Sequence, residues 1–151
     1  MSGNLDHSPA DIIRYLLIDL SLGTLPTNNT AWPVFRSNQP DSPDNSICVF
    51  DTENELQGRR QTDGVTIEFY GILIRVRGVD YSTGFNKAKD IAHQLDTEVV
   101  RDDVTIGSDT YRVQAVTRRG GVLSLGSELG VSRRRLFTIN AVASIYQTAG
   151  T

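Results

Sequence analysis

Apolar residues at helical spacing predict two helices in this chain. Ser8-Pro9-Ala10-Asp11 has the residue types of a helix N-terminus, and apolar residues follow at helical spacing over 12–20. We expect this helix to run to about Leu22 and to end at Gly23. Ser82 is predicted to cap a second helix. Its apolar face holds Phe85, Ala88, Ile91, Ala92 and Leu95.

Alternation of apolar and polar residues predicts the strands. A short strand over Ile47–Asp51 is followed by a polar loop, and a long strand covers 64–79. The alternation changes phase at Gly71, which predicts a bulge or a sharp bend there. A hairpin around Gly107-Ser108-Asp109 is expected over Thr105–Val116, with Tyr111, Val113 and Ala115 alternating. The last strand, about 132–146, places Phe137, Ile139, Ala141, Ala143 and Ile145 on one face.

This order of elements predicts an α+β fold, a mainly antiparallel sheet of about five strands with two helices packed on one face. The 151 residues fit a single domain over 1–151. A strand of about fifteen residues is about 50 Å long, whereas a domain of this size spans about 40 Å. The strands at 64–79 and 132–146 therefore either curl strongly or project towards a partner.

Residues 24–46 contain four prolines and show no periodicity. A loop of that length is uncommon in a compact domain and predicts an interaction arm. Trp32 and Phe35 lie inside it, and aromatic side chains are costly to leave in water. We therefore expect part of this arm to dock on the body of the protein or on a neighbour.

The composition disfavours several classes of protein. With 38% hydrophobic and 22% charged residues and no long apolar run, the chain is typical of soluble globular proteins, and its polar, acidic start predicts an intracellular product without a secretory signal. Cys48, the only cysteine, lies in an apolar run and is expected to be a small buried thiol. His7 is expected in a frayed terminus and His93 on a surface, without a partner at metal-ligand spacing. We therefore expect no enzyme, catalytic residue, cofactor or metal.

Charge is distributed unevenly along the chain. The net charge is −3, but residues 1–55 carry −6, residues 56–111 carry −2 and residues 112–151 carry +5. Thirteen of the fifteen basic residues are arginine, which is enriched at protein interfaces because its planar fork pairs with carboxylates. This polarity favours contacts with protein partners or with other copies of the chain.

The segment TRRGGVLSLGSELGVSRRRLF (117–137) combines both features. Its glycines lack the lysine of a phosphate loop, its single RGG triplet lacks interleaved aromatics, and the pI of about 5.3 disfavours a dedicated nucleic-acid binder. Two interpretations stay open: residues 118–135 form a solvated hairpin loop, or they contact a neighbouring subunit. The apolar residues that favour the contact are Val122, Leu123, Leu125, Leu129 and Val131.

Three segments resemble the tail terminator proteins of long-tailed bacteriophages, also described as minor capsid or tail completion proteins. They are PDNSICVFDT (43–52), GRRQTDGVTIEFYGILIRVRGVDYSTGFNKAKDIAHQL (58–95) and SRRRLFTINAVASIY (132–146). In that family a Pro-Asp segment leads into the first strand, an Arg-rich loop precedes a long strand reading like VRG.DY, and a helix with a KA..I...L pattern follows. One departure is ENELQG, which stands where a more glycine-rich turn is expected and leaves the contacts of that loop open.

The resemblance implies a structural virion protein that forms a ring, expected to be a hexamer, on the end of the tail tube. Such a ring stops tube polymerisation and gives the head-completion or connector protein a docking surface at the head–tail junction of the virion, after assembly in the host cytoplasm. The expected partners are other copies, the tail tube protein and the connector, with DNA passing through the lumen without specific binding and no membrane.

On this reading Arg59 and Arg60 line the channel or contact a neighbour, and Trp32 and Phe35 belong to the arm. The subunit or tube interface is expected at Arg118, Arg119, Val122, Leu123, Leu125, Arg133, Arg134 and Arg135. A head-closure or neck protein and a small nucleic-acid-binding protein stay open as alternatives.

Overall fold

The strands in the described part of the chain join one curled sheet. The structure, a computed structural model, describes residues 5–26, 31–40, 43–59, 66–99, 101–128 and 131–149, with the backbone alone for 53–59, 66–68, 127–128, 131–133 and 149. The elements in chain order are α1 (Pro9–Asp19), β1 (Val34–Arg36), β2 (Ser46–Arg59), β3 (Thr66–Gly78), α2 (Tyr81–Thr97), β4 (Asp102–Ile106), β5 (Asp109–Arg118), β6 (Leu123–Glu128) and β7 (Val131–Ala149). The strand order is β1-β2-β3-β7-β5-β4, and β6 pairs with β7 beside this path.

The α+β class is confirmed, and the described sheet is mainly antiparallel as expected, but it differs from the expected one in strand number and in one parallel pair. The described part of the chain has seven strands rather than about five, and the sheet is mixed because β1 runs parallel to β2. β1 lies inside the segment 24–46 that was expected to be a loop, and β6 lies inside the arginine-flanked segment. A strand of three residues is too short to show a periodic pattern in sequence.

β2 is much longer than the predicted strand at Ile47–Asp51. Its pairing with β3 shifts register between Asp51 and Asn54 and again between Leu56 and Gly58. Each shift inserts an extra residue, so a polar stretch without alternation still pairs along β3. A bulge was predicted in β3 at Gly71, but β3 pairs with β7 in one unbroken register. The bulge is instead in β2, whose extra residue lies opposite Gly71.

α1 begins as predicted and ends earlier than predicted. The Ser8 side chain accepts a hydrogen bond from the Asp11 N–H, and proline occupies the first turn. The helix ends at Asp19, because Ser21 takes a positive φ of 62° and the Leu22 N–H donates to Leu17 O, the pattern of a Schellman motif. Gly23 has another role, since a Cβ there would overlap the Val34 side chain.

The N-cap of α2 is Asp80, two residues before the predicted cap Ser82. The Asp80 side chain, not that of Ser82, accepts from the Thr83 N–H at 2.9 Å and caps the helix. Its buried residues are Gly84, Ala88, Ile91, Ala92 and Leu95, so the predicted apolar face is confirmed except that Phe85 is only partly buried.

The predicted hairpin is present, with Gly107 at a φ of 63° in its turn. A register shift between Val113 and Ala115 changes the phase, so Ala115 is exposed and Val116 is buried. β7 is longer than predicted, and its residues 137, 139, 141, 143 and 145 are all buried, as expected. With 19 residues it extends over about 60 Å.

The terminus is ordered where fraying was expected, from residue 5 onwards. The His7 Nδ1 lies within hydrogen-bonding distance of the Tyr111 hydroxyl and 3.6 Å from an Asp109 carboxylate oxygen. Asp6 exchanges two hydrogen bonds with the Gln147 side chain. The expectation for His7 is therefore wrong, whereas His93 is exposed as predicted. Cys48 is fully buried, and burial raises the pKa of its thiol to about 11.

Both helices contribute to a single hydrophobic cluster with alternate residues of β3, β5 and β7. Ile12, Leu16 and Ile91 of the helices and Ile74 and Ile139 of the sheet are fully or almost fully buried in it. Within the described residues, neither helix is long and apolar enough to cross a membrane.

Candidate interface around β6

The arginine-flanked segment continues the line of β5 along β7. β5 ends with Arg118 opposite Ala141, and β6 begins with Leu123 opposite Thr138. Between them the Arg119 N–H donates to Asn140 O at 2.7 Å, so even this junction is bonded to β7. Gly120 has a φ of 110°, which other residue types rarely adopt, and it allows the chain to turn back into line. The interpretation of 118–135 as a solvated hairpin loop is therefore wrong for residues 123–128, which form a strand.

β6 presents two large apolar side chains to solvent. Leu123 and Leu125 are 54% and 55% exposed, whereas Val122 just before them is partly buried against the core. The register with β7 shifts between Ser124 and Gly126, so Leu125 occupies a bulge. Exposed leucines on an edge strand are a liability for a monomer, because such an edge can pair with another chain.

Arg118 is bound to its own chain. Its Nε and Nη2 donate to both carboxylate oxygens of Asp96 on α2 at 2.7–3.0 Å, and its Nη1 donates to Gly120 O at 3.0 Å. These hydrogen bonds lower the pKa of Asp96 and raise that of Arg118, since each partner stabilises the charged form of the other. The pair ties the end of α2 to the end of β5 and lines a shallow, open depression with Gly121.

Arg134 is also committed within the chain. It is only 8% exposed, and its Nε donates to Asp44 Oδ1 at 2.7 Å. The Arg135 side chain turns back along the strand and donates to Arg134 O. Arg134 and Arg135 were predicted, with Arg118, to contact a partner. Arg134 instead holds the segment before β2 against β7.

Arg77 completes this corner from β3. Its side chain is 2% exposed, and it donates to the carbonyl oxygens of Pro43 and Asp44. Next to it the Val79 N–H donates to Asn45 Oδ1 at 2.8 Å. We name residues 43–46 together with Arg77 and Arg134 the arginine corner, because the two guanidinium groups fix the chain as it enters β2.

The other predicted residues do not gather at β6. Trp32 is partly buried against the core and has the Lys87 ammonium 5.2 Å from its ring centre, and Phe35 lies in β1 opposite Cys48. Both therefore lie on the body of their own chain. Arg133 and Arg59 lie in β7 and β2, but their side chains, like the whole of Arg60, lie outside the described residues.

Sequence reasoning missed an aromatic group at the start of α2. Tyr81 is half-exposed, and its ring stacks on that of Phe85 at 6.0 Å and meets the Phe137 ring edge-on at 5.3 Å. It also missed the acidic partners Asp96 and Asp44. The VRG.DY pattern contains Tyr81, but no signal in the sequence places Asp96 or Asp44 beside a particular arginine.

A scan against known protein families finds none that matches this chain, and a search of curated proteins finds no relative. The function therefore has to be argued from the residues and their arrangement.

Proposed function

We propose that this protein is a bacteriophage tail terminator, a virion protein that forms a ring on the end of the tail tube, stops tube growth and gives the head a joining surface. The observation that carries the proposal is β6, an edge strand with exposed Leu123 and Leu125 that lies between the arginines at 118–119 and 133–135. A surface that combines apolar side chains with nearby arginines suits a protein partner. The sequence of β6 itself, Leu123–Glu128, has no aromatic residue on which a base could stack.

The three segments that resemble tail terminators meet at the arginine corner. Pro43 and Asp44 come from the first segment, Arg77 from the second and Arg134 from the third, and hydrogen bonds join them. Two more residues of the second segment have structural roles. Gly78 lies so close to the Gly84 backbone that a Cβ there would overlap it, and Asp80 caps α2. The residues that carry the resemblance are thus the ones that hold this fold together, which supports a shared fold rather than a shared chemistry.

The proposed subunit has its two helices on one face of the sheet and its assembly surface along the β6 edge. The common cluster of both helices with Ile74 and Ile139 supports this arrangement. The charge polarity of the sequence, −6 over residues 1–55 and +5 over residues 112–151, suits a head-to-tail ring in which unlike regions of successive copies meet.

In this proposal the ring is a hexamer at the head–tail junction of the virion, assembled in the host cytoplasm. It binds the tail tube protein on one side and the head connector on the other, and DNA passes through its lumen without specific binding. No cofactor takes part, because the work is assembly rather than catalysis.

The test combines mass measurement with tube growth. The purified protein is studied by light scattering alone and after mixing with the tail tube protein of the same virus, and tube lengths are scored by electron microscopy. We expect a ring-sized species or tubes of limited length in the mixture. A monomer that leaves tube growth unaltered would contradict the proposal.

Leu125→Glu is the informative variant, and Leu25→Glu is its matched control because Leu25 is similarly exposed, at 42%, and lies far from β6 in sequence. We expect the first to abolish capping and the second to leave it intact. If both variants capped tubes equally well, β6 would not be part of the interface.

The neck-protein alternative predicts binding to the portal side instead of the tube. The nucleic-acid alternative predicts binding that weakens steeply with added salt, because each phosphate contact releases counterions. Tube capping needs no nucleic acid, so a protein that caps tubes and shows no salt-sensitive binding to DNA excludes this last alternative.

A further inference from the structure

Two stretches of strand lie at the outer edges of the sheet and pair on one side only within the described residues. β6 pairs with β7 alone over Leu123–Glu128. β2 has β1 beside it over Ile47–Val49, and beyond that point it pairs with β3 alone as far as Arg59. Each stretch therefore presents a row of backbone donors and acceptors to which another strand can add.

The two edges carry opposite charge in the sequence. The part of β2 beyond Val49 begins Phe50-Asp51-Thr52-Glu53-Asn54-Glu55, with three acids and no base, and Asp51 accepts a hydrogen bond from the Ala10 N–H. β6 is preceded by Arg118-Arg119, and the strand beside it begins with the arginines at 133–135. Opposite charge across adjacent strands stabilises pairing, and like charge disfavours it.

We propose that β6 of one copy adds as a strand to the outer edge of β2, beyond Val49, in the next copy. This inference rests on the proposed function, because it specifies the contact that builds the ring. Leu123 and Leu125 become covered by the neighbouring copy, which accounts for two leucines that the monomer leaves exposed. The sheet then continues from one subunit into the next.

Charge selects this contact over a two-fold one. If β6 paired antiparallel with β6 of a second copy, Arg119 of one chain would approach the positions of Arg133 and Arg135 of the other, while the charges of Arg118 and Arg134 are offset by Asp96 and Asp44 of their own chain. Pairing with the acidic part of β2 removes this repulsion and brings unlike charges together. The contact is then heterologous, the type that generates rings or filaments rather than closed dimers.

The topology places the two edges so that a ring follows. β6 and β2 lie on opposite sides of the β3–β7 pair. The two edges also lie at different levels along β7. Gly126 of β6 lies opposite Leu136 of β7. Asn54 of β2 lies opposite Tyr70 of β3, which in turn lies opposite Ala143 of β7. Seven residues of β7 separate these levels, about 23 Å along the strand. Each added copy is therefore staggered, so the strands of the assembly are inclined to the ring axis.

The test is cross-linking through paired cysteines on the two edges. Ser124→Cys on β6 and Thr52→Cys on β2 replace exposed residues, and the native Cys48 is fully buried and does not compete. A short bismaleimide joins neighbouring thiols, because each thiol adds across one maleimide double bond with no leaving group. A matched control combines Ser124→Cys with Thr105→Cys, an exposed residue of β4.

The expected result is a ladder of covalent oligomers up to the ring mass for the double variant with Thr52→Cys, in the mixture that caps tubes. Ser124→Cys alone, Thr52→Cys alone and the control pair should give no ladder. Covalent dimers from Ser124→Cys alone would overturn the inference in favour of two-fold pairing. A ring that caps tubes but gives no ladder would overturn the inference and leave the proposed function standing, whereas no ring and no capping would overturn both.

A charge exchange gives an independent readout. Arg119→Glu should reduce the ring-sized fraction at low salt, where charges interact over about 30 Å without direct pairing, and adding Glu53→Arg should restore part of it. If the second substitution deepens the defect instead, these two edges do not face each other.

Discussion

The arginine corner makes a quantitative prediction about the stability of the fold. We consider Arg77→Met, which keeps much of the aliphatic volume of a side chain that is 2% exposed and removes its charge. Its hydrogen bonds to the carbonyl oxygens of Pro43 and Asp44 are lost. Hydrogen bonds from a charged group contribute about 1.5–3 kcal/mol each, so two give about 3–6 kcal/mol.

Part of this loss is offset because methionine avoids the desolvation cost of a buried guanidinium group. We therefore expect Arg77→Met to lower the free energy of unfolding by about 3 kcal/mol. With an m-value of about 2 kcal/mol per molar urea, the midpoint should fall by about 1.5 M. The measurement is urea unfolding followed by circular dichroism, at concentrations where the chain is monomeric.

The control is Arg36→Met, which removes an arginine whose half-exposed side chain contacts Asp11 at 3.2 Å. The buried Asp11 keeps Arg14 as a second partner at 3.4 Å, so losing this half-exposed pair should cost about 0–1 kcal/mol and lower the midpoint by no more than about 0.5 M. Hydrogen exchange supplies a local readout, since release of the corner should speed exchange of the Val79 amide that donates to Asn45. Equal midpoints for Arg77→Met and Arg36→Met, with no change in exchange at Val79, would refute the reasoning.

Three further predictions concern α2. Asp80→Ala should cost about 1 kcal/mol in urea unfolding because it removes the N-cap, whereas Ser82→Ala should change stability by less than about 0.5 kcal/mol; equal effects would contradict the assignment of the cap. Gly84→Ala should lower stability by about 1–3 kcal/mol in thermal unfolding, despite the better helix propensity of alanine, because the added Cβ would lie 2.7 Å from a core phenylalanine ring. The pKa of Asp96 is lowered by Arg118, so its contribution to stability is present above the ordinary carboxyl pKa of about 3.9 and is lost as the pH falls through the lower folded value. Carboxyl titration by NMR should show this pKa rising in Arg118→Gln, and an unchanged value would exclude the ion pair in solution.

Local signals in the sequence predicted the starts and faces of elements better than their ends. Ser8 identified the start of α1 because a cap depends only on its neighbours. The end of α1 was misplaced because a non-glycine residue, Ser21, takes the left-handed conformation there. β2 was underestimated because bulges allow non-alternating residues to pair, and that pairing is decided by β3 rather than by the segment itself.

The candidate site shows the same limit. The sequence drew attention to 117–137, but it could not divide the arginines by role, because their partners Asp96 and Asp44 are 22 and 90 residues away. A cluster of like charges in sequence therefore predicted one surface where the structure has two internal ion pairs and an edge strand.

That division changes what drives assembly in the proposed ring. With Arg118 and Arg134 held by Asp96 and Asp44, the apolar gain at each contact comes mainly from Leu123 and Leu125. About half of each leucine is already covered, so full burial adds about 1 kcal/mol apiece, too little to hold two copies together at micromolar concentration. Contacts this weak become stable when several copies are held side by side, since closing the ring makes each further contact intramolecular. A free monomer that assembles only on the end of a tube is therefore what this surface predicts, and it confines the ring to the place where growth must stop.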